Sequence, residues 1–398
     1  MALSGDVNPG APVCPGTGGL FNSGSITTSG GDGTTLGGTA GSITLDGENC
    51  SGRGSLRNSG ALTANGGNAT SGNGGNGNLL TLAAKGQLLH SATLSANGGT
   101  GSAAGGSGGR IQVANAFVPE DPNNEVRVAG SLSANGGNGA TGGSASVIPF
   151  STISAGGVDV HLLNFIQVHL HGGSSTTGTG GTGGTLAITA SDYRNDLFLH
   201  APGGTATGAG SRGGDGGGLT ATSPTVVNFG KVVTDGGGGV DRGGNAGSMS
   251  FFPTAVIINA AELSAKGGAA TNAAVGPGGD GGDIGMHATK SINNSGAINS
   301  SGGDHPDGGG DGGIVVLNAV GKTVNTAAIT SNGGNAATTA GTDGGGGGAI
   351  DLATKEQPTI NTGTLSVIKG AGSATSVGVE GVILIDGSNV TPTTGTLP

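Results

Sequence analysis

The chain has 398 residues, 94 of them glycine, with aromatics at 2%, no tryptophan and a formal net charge of −10. Such a composition excludes an ordinary globular core filled by large rings. The negative balance, without any Lys/Arg cluster, argues against a nucleic-acid partner or an anionic-membrane surface.

Residues 1–21 are irregular and proline-bearing and read as an N-terminal cap or assembly segment. Met1-Ala2-Leu3-Ser4 lacks the basic and apolar regions of a signal peptide, and no apolar run approaches the ~18 residues of a membrane span. Cys14 and Cys50 are the only cysteines. A disulfide between them would clamp the first coil and imply an oxidising, extracytoplasmic compartment; free buried thiols are the alternative.

From residue 22 to 385 a unit of roughly 34 residues repeats. Clear copies read ALTANGGNATSGNGGNGNLLTLAA from Ala61 and AITSNGGNAATTAGTDGGGGGAIDLA from Ala328. Four places before the first paired glycine stand Ile26, Leu62, Leu94, Leu132, Val168, Leu199, Val232, Leu263, Ile298 and Ile329, all aliphatic. Two places before it the residues are mostly small, as in Ala64, Ala96 and Ala134. Between them runs an outward column of Thr27, Thr63, Ser95, Ser133, His169, His200, Val233, Ser264, Asn299 and Thr330. This period-two alternation predicts a strand and excludes an amphipathic helix.

After the glycines a second strand is expected, with inward pairs such as Ile43/Leu45, Leu80/Leu82, Ile284/Met286, Ile314/Val316, Ile350/Leu352 and Val382/Leu384. A third, weaker element follows, as in VVN from Val226, IIN from Ile257, SIN from Ser291, TVN from Thr323 and TIN from Thr359. Three short strands per turn predict an all-β fold, a single parallel β-helix of roughly eleven coils. Glycine pairs such as GGNGG from Gly74 and GGDGG from Gly278 keep one register per coil, so the bridges are expected to be ordered as a polyglycine-II-like layer. The period slips at residues 147–165, an apolar stretch expected to cover the core or form an interface. Residues 386–398 read as a C-terminal tail.

Two groups of side chains have ligand chemistry. His169 and His200 share the outward column one coil apart, with His171 two residues along, a set suited to Zn or Cu, while a polar ladder with histidine in place of Ser/Thr is the plainer reading. Their rings are expected to stack about 5 Å apart, the spacing of neighbouring strands. Asp215, Asn245, Asp280 and Asp311 fall at equivalent bridge positions, and stacked carboxylates repel, so calcium between coils is the candidate relief. GGDGGDIGM from Gly278 partly matches a calcium-binding nonapeptide, with Asp283 at its acidic position and Gly285 where a large apolar residue belongs. Turn-forming acids in solvent are the plainer reading of these residues. No catalytic constellation is present: Asp192 with Arg194, and Asp304 with Asp307, are scattered loop pairs without a fixed partner.

The motifs NSGALTANGG from Asn58 and NSGAINSSGG from Asn294 make residues 20–385 resemble glycine-rich repeat proteins of bacterial surfaces, including filamentous-haemagglutinin-like β-helical adhesins. The chain departs from those adhesins in its longer glycine bridges. The resemblance implies a non-enzymatic, secreted or cell-surface structural protein, a fibre subunit or adhesive stalk that self-associates end to end. Host or cell-surface glycans are the expected further partners. A carbohydrate-binding or polysaccharide-cleaving β-helix is the alternative, and an ice-binding solenoid fits less well because no TxT motif recurs.

Overall fold

A computed structural model describes residues 2–4, 19–47, 54–117, 125–154, 161–190, 192–196, 198–253, 255–272, 276–337, 342–373, 378–391 and 396–397. The protein is all-β, with no helix among the described residues, and its parallel sheets stack as a solenoid of about ten turns. Three strand columns run along the axis. The first contains Ile43–Asp46, Leu80–Ala84 and Ile284–Ala288, the second Ser55–Asn58, Leu88–His90 and Val256–Asn259, and the third Leu62–Thr63, Leu94–Ser95 and Leu263–Ser264. Each strand pairs in parallel with its equivalent one turn away, as in Leu62↔Leu94 and Ile43↔Leu80. Like residues therefore stack on like, about 4.8 Å apart.

The core is a continuous aliphatic column between these faces. Leu62, Leu94, Leu132, Leu263 and Ile329 are fully buried, with Ala64, Ala96 and Ala134 beside them, as the alternation predicts. Two inward pairs shift by one residue. Val315 and Leu317 are buried while Ile314 is exposed, and Ile383 is buried while Val382 is exposed. Both segments are apolar in either phase, so their own alternation cannot choose a face. Pairing chooses it: Ile284 lies against Val315, and Ile350 against Ile383. The outward column is only half exposed, and Val233 and Ser264 are buried.

At the end of the second column the side chain is a buried asparagine. Asn195 donates through Nδ2 to Asn228 Oδ1 at 2.6 Å, and Asn228, Asn259, Asn294, Asn325 and Asn361 continue the chain of amide bonds at 2.7 Å each. The repeat from Ser291 thus contributes Asn294 to this ladder rather than Asn293.

The glycine bridges are hydrogen-bonded throughout their described length. Each has an outgoing and a returning arm, and glycine-to-glycine N–H···O bonds of 2.7–2.9 Å zigzag between arms without a break from Gly31 to Gly370. Gly67 donates to Gly38 O, Gly75 to Gly67 O, and Gly99 to Gly75 O. Other amides point along the axis, Gly74 to Ala104 O and Gly77 to Ser107 O. Arms approach so closely that a Cβ on Gly75 would lie 2.0 Å from Gly38 O, which is why no larger residue fits.

Within residues 147–165 the described segments are 147–154 and 161–165, and both lie in paired strands. Val147–Ser154 pairs with Ile111–Phe117 and Thr185–Thr189 as a regular member of the first column. His161–His169 pairs with Glu125–Ser133, and these two strands run straight through the corner that divides the second and third columns elsewhere. Glu125–Ser133 passes that corner at Gly130, whose φ of 135° suits glycine alone. The tail folds back on its own chain: Ser388–Asn389 pairs antiparallel with Leu384 and Ile385, and Thr396–Leu397 with Leu365 and Ser366. Cys14 and Cys50 lie outside the described residues.

Candidate metal centre

Two side-chain columns flank the outgoing glycine arm and form a polar zigzag. Ser95 Oγ donates to Asn65 Oδ1 at 2.8 Å and receives Asn97 Nδ2 at 3.0 Å; Ser133 Oγ donates to Asn97 Oδ1 at 2.7 Å and receives Asn135 Nδ2 at 3.0 Å. Each asparagine also caps a main-chain amide one turn on, as Asn97 Oδ1 does for Asn135 N and Asn135 Oδ1 for His171 N, both at 2.8 Å. Parallel stacking supplies one such axial donor per bridge position, and a short amide side chain reaches it.

The next two turns replace this pattern with histidines. The ladder sets His169 against His200, as predicted, but the ring contacts run through His171. His171 meets His200 edge-on with centroids 4.2 Å apart and His169 at 5.4 Å. His171 Nε2 is 2.6 Å from His200 Nδ1 and 3.5 Å from His169 Nδ1. One nitrogen from each ring lies within 4.8 Å of the other two, the only such group of potential ligands among the described residues. The Phe198 ring, 5.0 Å from that of His200 and 6.4 Å from that of His169, walls one side.

Burial, with the adjacent His200 and His169 rings acting in the same direction, pushes the His171 imidazole down to about 4. His169 is lowered by burial. His200 is lowered chiefly by burial, with His169 acting in the same direction, Asp235 opposing and Lys231 adding to the fall. The three rings are thus held neutral at neutral pH, with lone pairs available for coordination.

The acidic candidates are arranged differently. Asp215 Oδ1 accepts from Asn245 N at 2.9 Å, Asn245 Oδ1 from Asp280 N at 3.0 Å, Asp280 Oδ1 from Asp311 N at 2.9 Å and Asp311 Oδ1 from Gly346 N at 2.6 Å. Asp283 Oδ1 accepts from Ile314 N at 3.0 Å, and Arg212 pairs with Asp215 at 2.7 Å. These carboxylates cap amides of the following turn and do not converge into a cage. Arg194 pairs with Asp196 at 2.8 Å, and Asp304 caps Asn335 N at 2.6 Å, so both have fixed partners. Burial raises the carboxyl of Asp351, and Asp386 adds to the rise; Asp386 itself is engaged by Thr354 and Thr359 and ties the tail to the last turns.

Sequence reasoning missed His90, which stands in the asparagine ladder and is 1% exposed. Asn58 Nδ2 lies 2.8 Å from His90 Nδ1, while His90 Nε2 is buried without a partner. Its register with Asn58 was the available signal. A groove of about 700 Å³ beside it is lined by Phe21, Arg57, Gln87, Leu89 and Arg127.

Comparison with protein-family models, with curated proteins and with solved structures finds no match to this chain.

Proposed function

We propose that this chain is a non-enzymatic structural rod of the cell surface or extracellular space, a fibre subunit or adhesive stalk, stiffened by a polyglycine-II-like second layer. The glycine zigzag from Gly31 to Gly370 carries this reading. In the returning arm the axial donors Gly74 and Gly77 are three residues apart, the repeat of an extended threefold helix. Two bonded layers, one of strands and one of glycine arms, resist bending better than strands joined by slack loops. About ten turns at ~4.8 Å give a rod of roughly 50 Å.

The tail bears on how such rods would join. Its antiparallel pairing covers the last strands of the first and third columns, the way edge strands are blunted against association. End-to-end growth at this end therefore requires the tail to be displaced. Negative-stain electron microscopy and light scattering over a range of concentration test the proposal. Stiff rods, alone or joined head to tail, are expected. Compact or bent particles would overturn the rod, and strictly monomeric rods at every concentration would overturn the fibre and leave the stalk.

A further inference from the structure

We infer that His169, His171 and His200 bind one divalent transition-metal ion of the Zn(II), Cu(II) or Ni(II) class, with an open coordination position toward solvent. Imidazole nitrogens about 2.0–2.1 Å from a tetrahedral ion lie roughly 3.3–3.4 Å apart. The present separations, 3.5 Å for His169–His171 and 2.6 Å for His171–His200, bracket that value. The third separation lies within 4.8 Å, and any closing adjustment falls to the side chains, because the ladder fixes the backbones: Val168 pairs with Leu199, His169 with His200, and Leu170 N donates to His200 O at 2.8 Å.

Hydrogen bonds among the rings do not engage all three nitrogens in separate two-centre pairs. His171 Nε2 faces two nitrogens, yet a neutral imidazole nitrogen has either one proton or one lone pair. Only the 2.6 Å contact to His200 is then an ordinary two-centre hydrogen bond, and the 3.5 Å contact to His169 is long for one. A metal ion accepts all three lone pairs at once.

A second observation separates the cluster from a chance substitution in the polar zigzag. A histidine in the asparagine column does not supply the axial amide cap. The residue above His171 in that column is Pro202, which has no N–H to cap. The capping pattern resumes one turn later, where Asp235 Oδ1 accepts from Lys266 N at 2.8 Å. The sequence thus frees His171 from its structural duty at the turn where its ring meets the other two. Nitrogen donors without a carboxylate among them select borderline transition metals over calcium or magnesium.

The test is calorimetric titration of the full chain with zinc, copper(II), nickel or calcium chloride, beside Co(II) absorption spectroscopy. Wild type is expected to bind one Zn(II) or Cu(II) at this site and to give the d–d bands of nitrogen-ligated Co(II), with no calcium competition. His171→Asn restores the column's usual residue and is expected to fold normally, verified by circular dichroism, while weakening binding at least 100-fold. His169→Ser and His200→Ser, the residue types of their own column, are expected to weaken it about tenfold or more. Absence of binding by wild type overturns the inference. So does binding unchanged in His171→Asn, which would assign the ion to another site. A monomeric rod that still loses its ion in His171→Asn leaves the inference intact whatever becomes of the fibre.

Discussion

Replacing Gly106 by alanine tests whether the glycine layer is a close-packed element. A Cβ there would lie 1.9 Å from Gly75 O and 2.5 Å from Gly75 C, both backbone atoms that no rotamer change can move. Reaching an ordinary contact of about 3.4 Å means opening the arms by roughly 1.5 Å. The bonds from Gly106 N to Gly99 O and from Gly137 N to Gly106 O, both 2.8 Å, do not survive that shift. Gly106 is buried, so two unmade backbone pairs at about 1–3 kcal/mol each give a loss of about 2–6 kcal/mol. The control is Gly238, where an added Cβ meets nothing nearer than Ala269 O at 3.5 Å. Gly238→Ala is expected to stabilise by about 0.4–1 kcal/mol, by restricting the unfolded chain. Urea unfolding followed by far-ultraviolet circular dichroism compares the two. Native-state hydrogen exchange should lose protection at Gly106 and Gly137 in the first variant alone. Equal effects, or a stabilising Gly106→Ala, would refute the packing reasoning.

The asparagine ladder is expected to be strongest in its middle. Asn259→Ala removes bonds to Asn228, Asn294 and Ala261 O and orphans buried partners, so about 3–5 kcal/mol is expected, against about 1–2 for the partly exposed terminal Asn361→Ala; matching denaturation midpoints would contradict this. Burial holds His90 down at about 4, against the smaller upward pull of hydrogen bonds with the Ala92 and Asn58 backbone. Its contribution is therefore complete above the unfolded value of 6.5 and is lost as pH falls from there through about 4, amounting to about 3 kcal/mol. His90→Asn should remove that pH dependence, and parallel stability curves for the two proteins from pH 7 to 4 would exclude the effect. Truncation after Ile385 uncovers two strand edges and should increase self-association by light scattering; unchanged particles would show that the tail is not an edge guard.

The solenoid was legible because its strand signal is local. An aliphatic residue four places before a glycine pair and a small one two places before it need no knowledge of neighbouring turns, and Leu62 with Ala64 or Leu94 with Ala96 are buried as that signal requires. Ile314 and Val382 were misplaced because IVVL and VILI are apolar in both phases. Spacing from the bridge holds the missing information: Ile284 follows Gly278 by six residues, and Val315 follows Gly309 by the same six. A fixed arm length, set by glycine bonds on the neighbouring turn, decides the face that alternation leaves open.

The side-chain columns were harder to read for a different reason. Register alone put His169 over His200, but it does not fix χ angles, and His171 turned its ring between them. Repulsion among Asp215, Asp280 and Asp311 was inferred from shared position, as though equivalent side chains must face one another. In a parallel stack each bridge position also presents a free axial N–H from the next turn, nearer than the next carboxylate. An Asp or Asn beside a glycine pair is then the residue that satisfies a backbone donor, which explains why both types alternate in one column without regard to charge. By the same logic, a turn where that column holds a histidine under a proline has no backbone donor to satisfy, and its ring is available for chemistry instead.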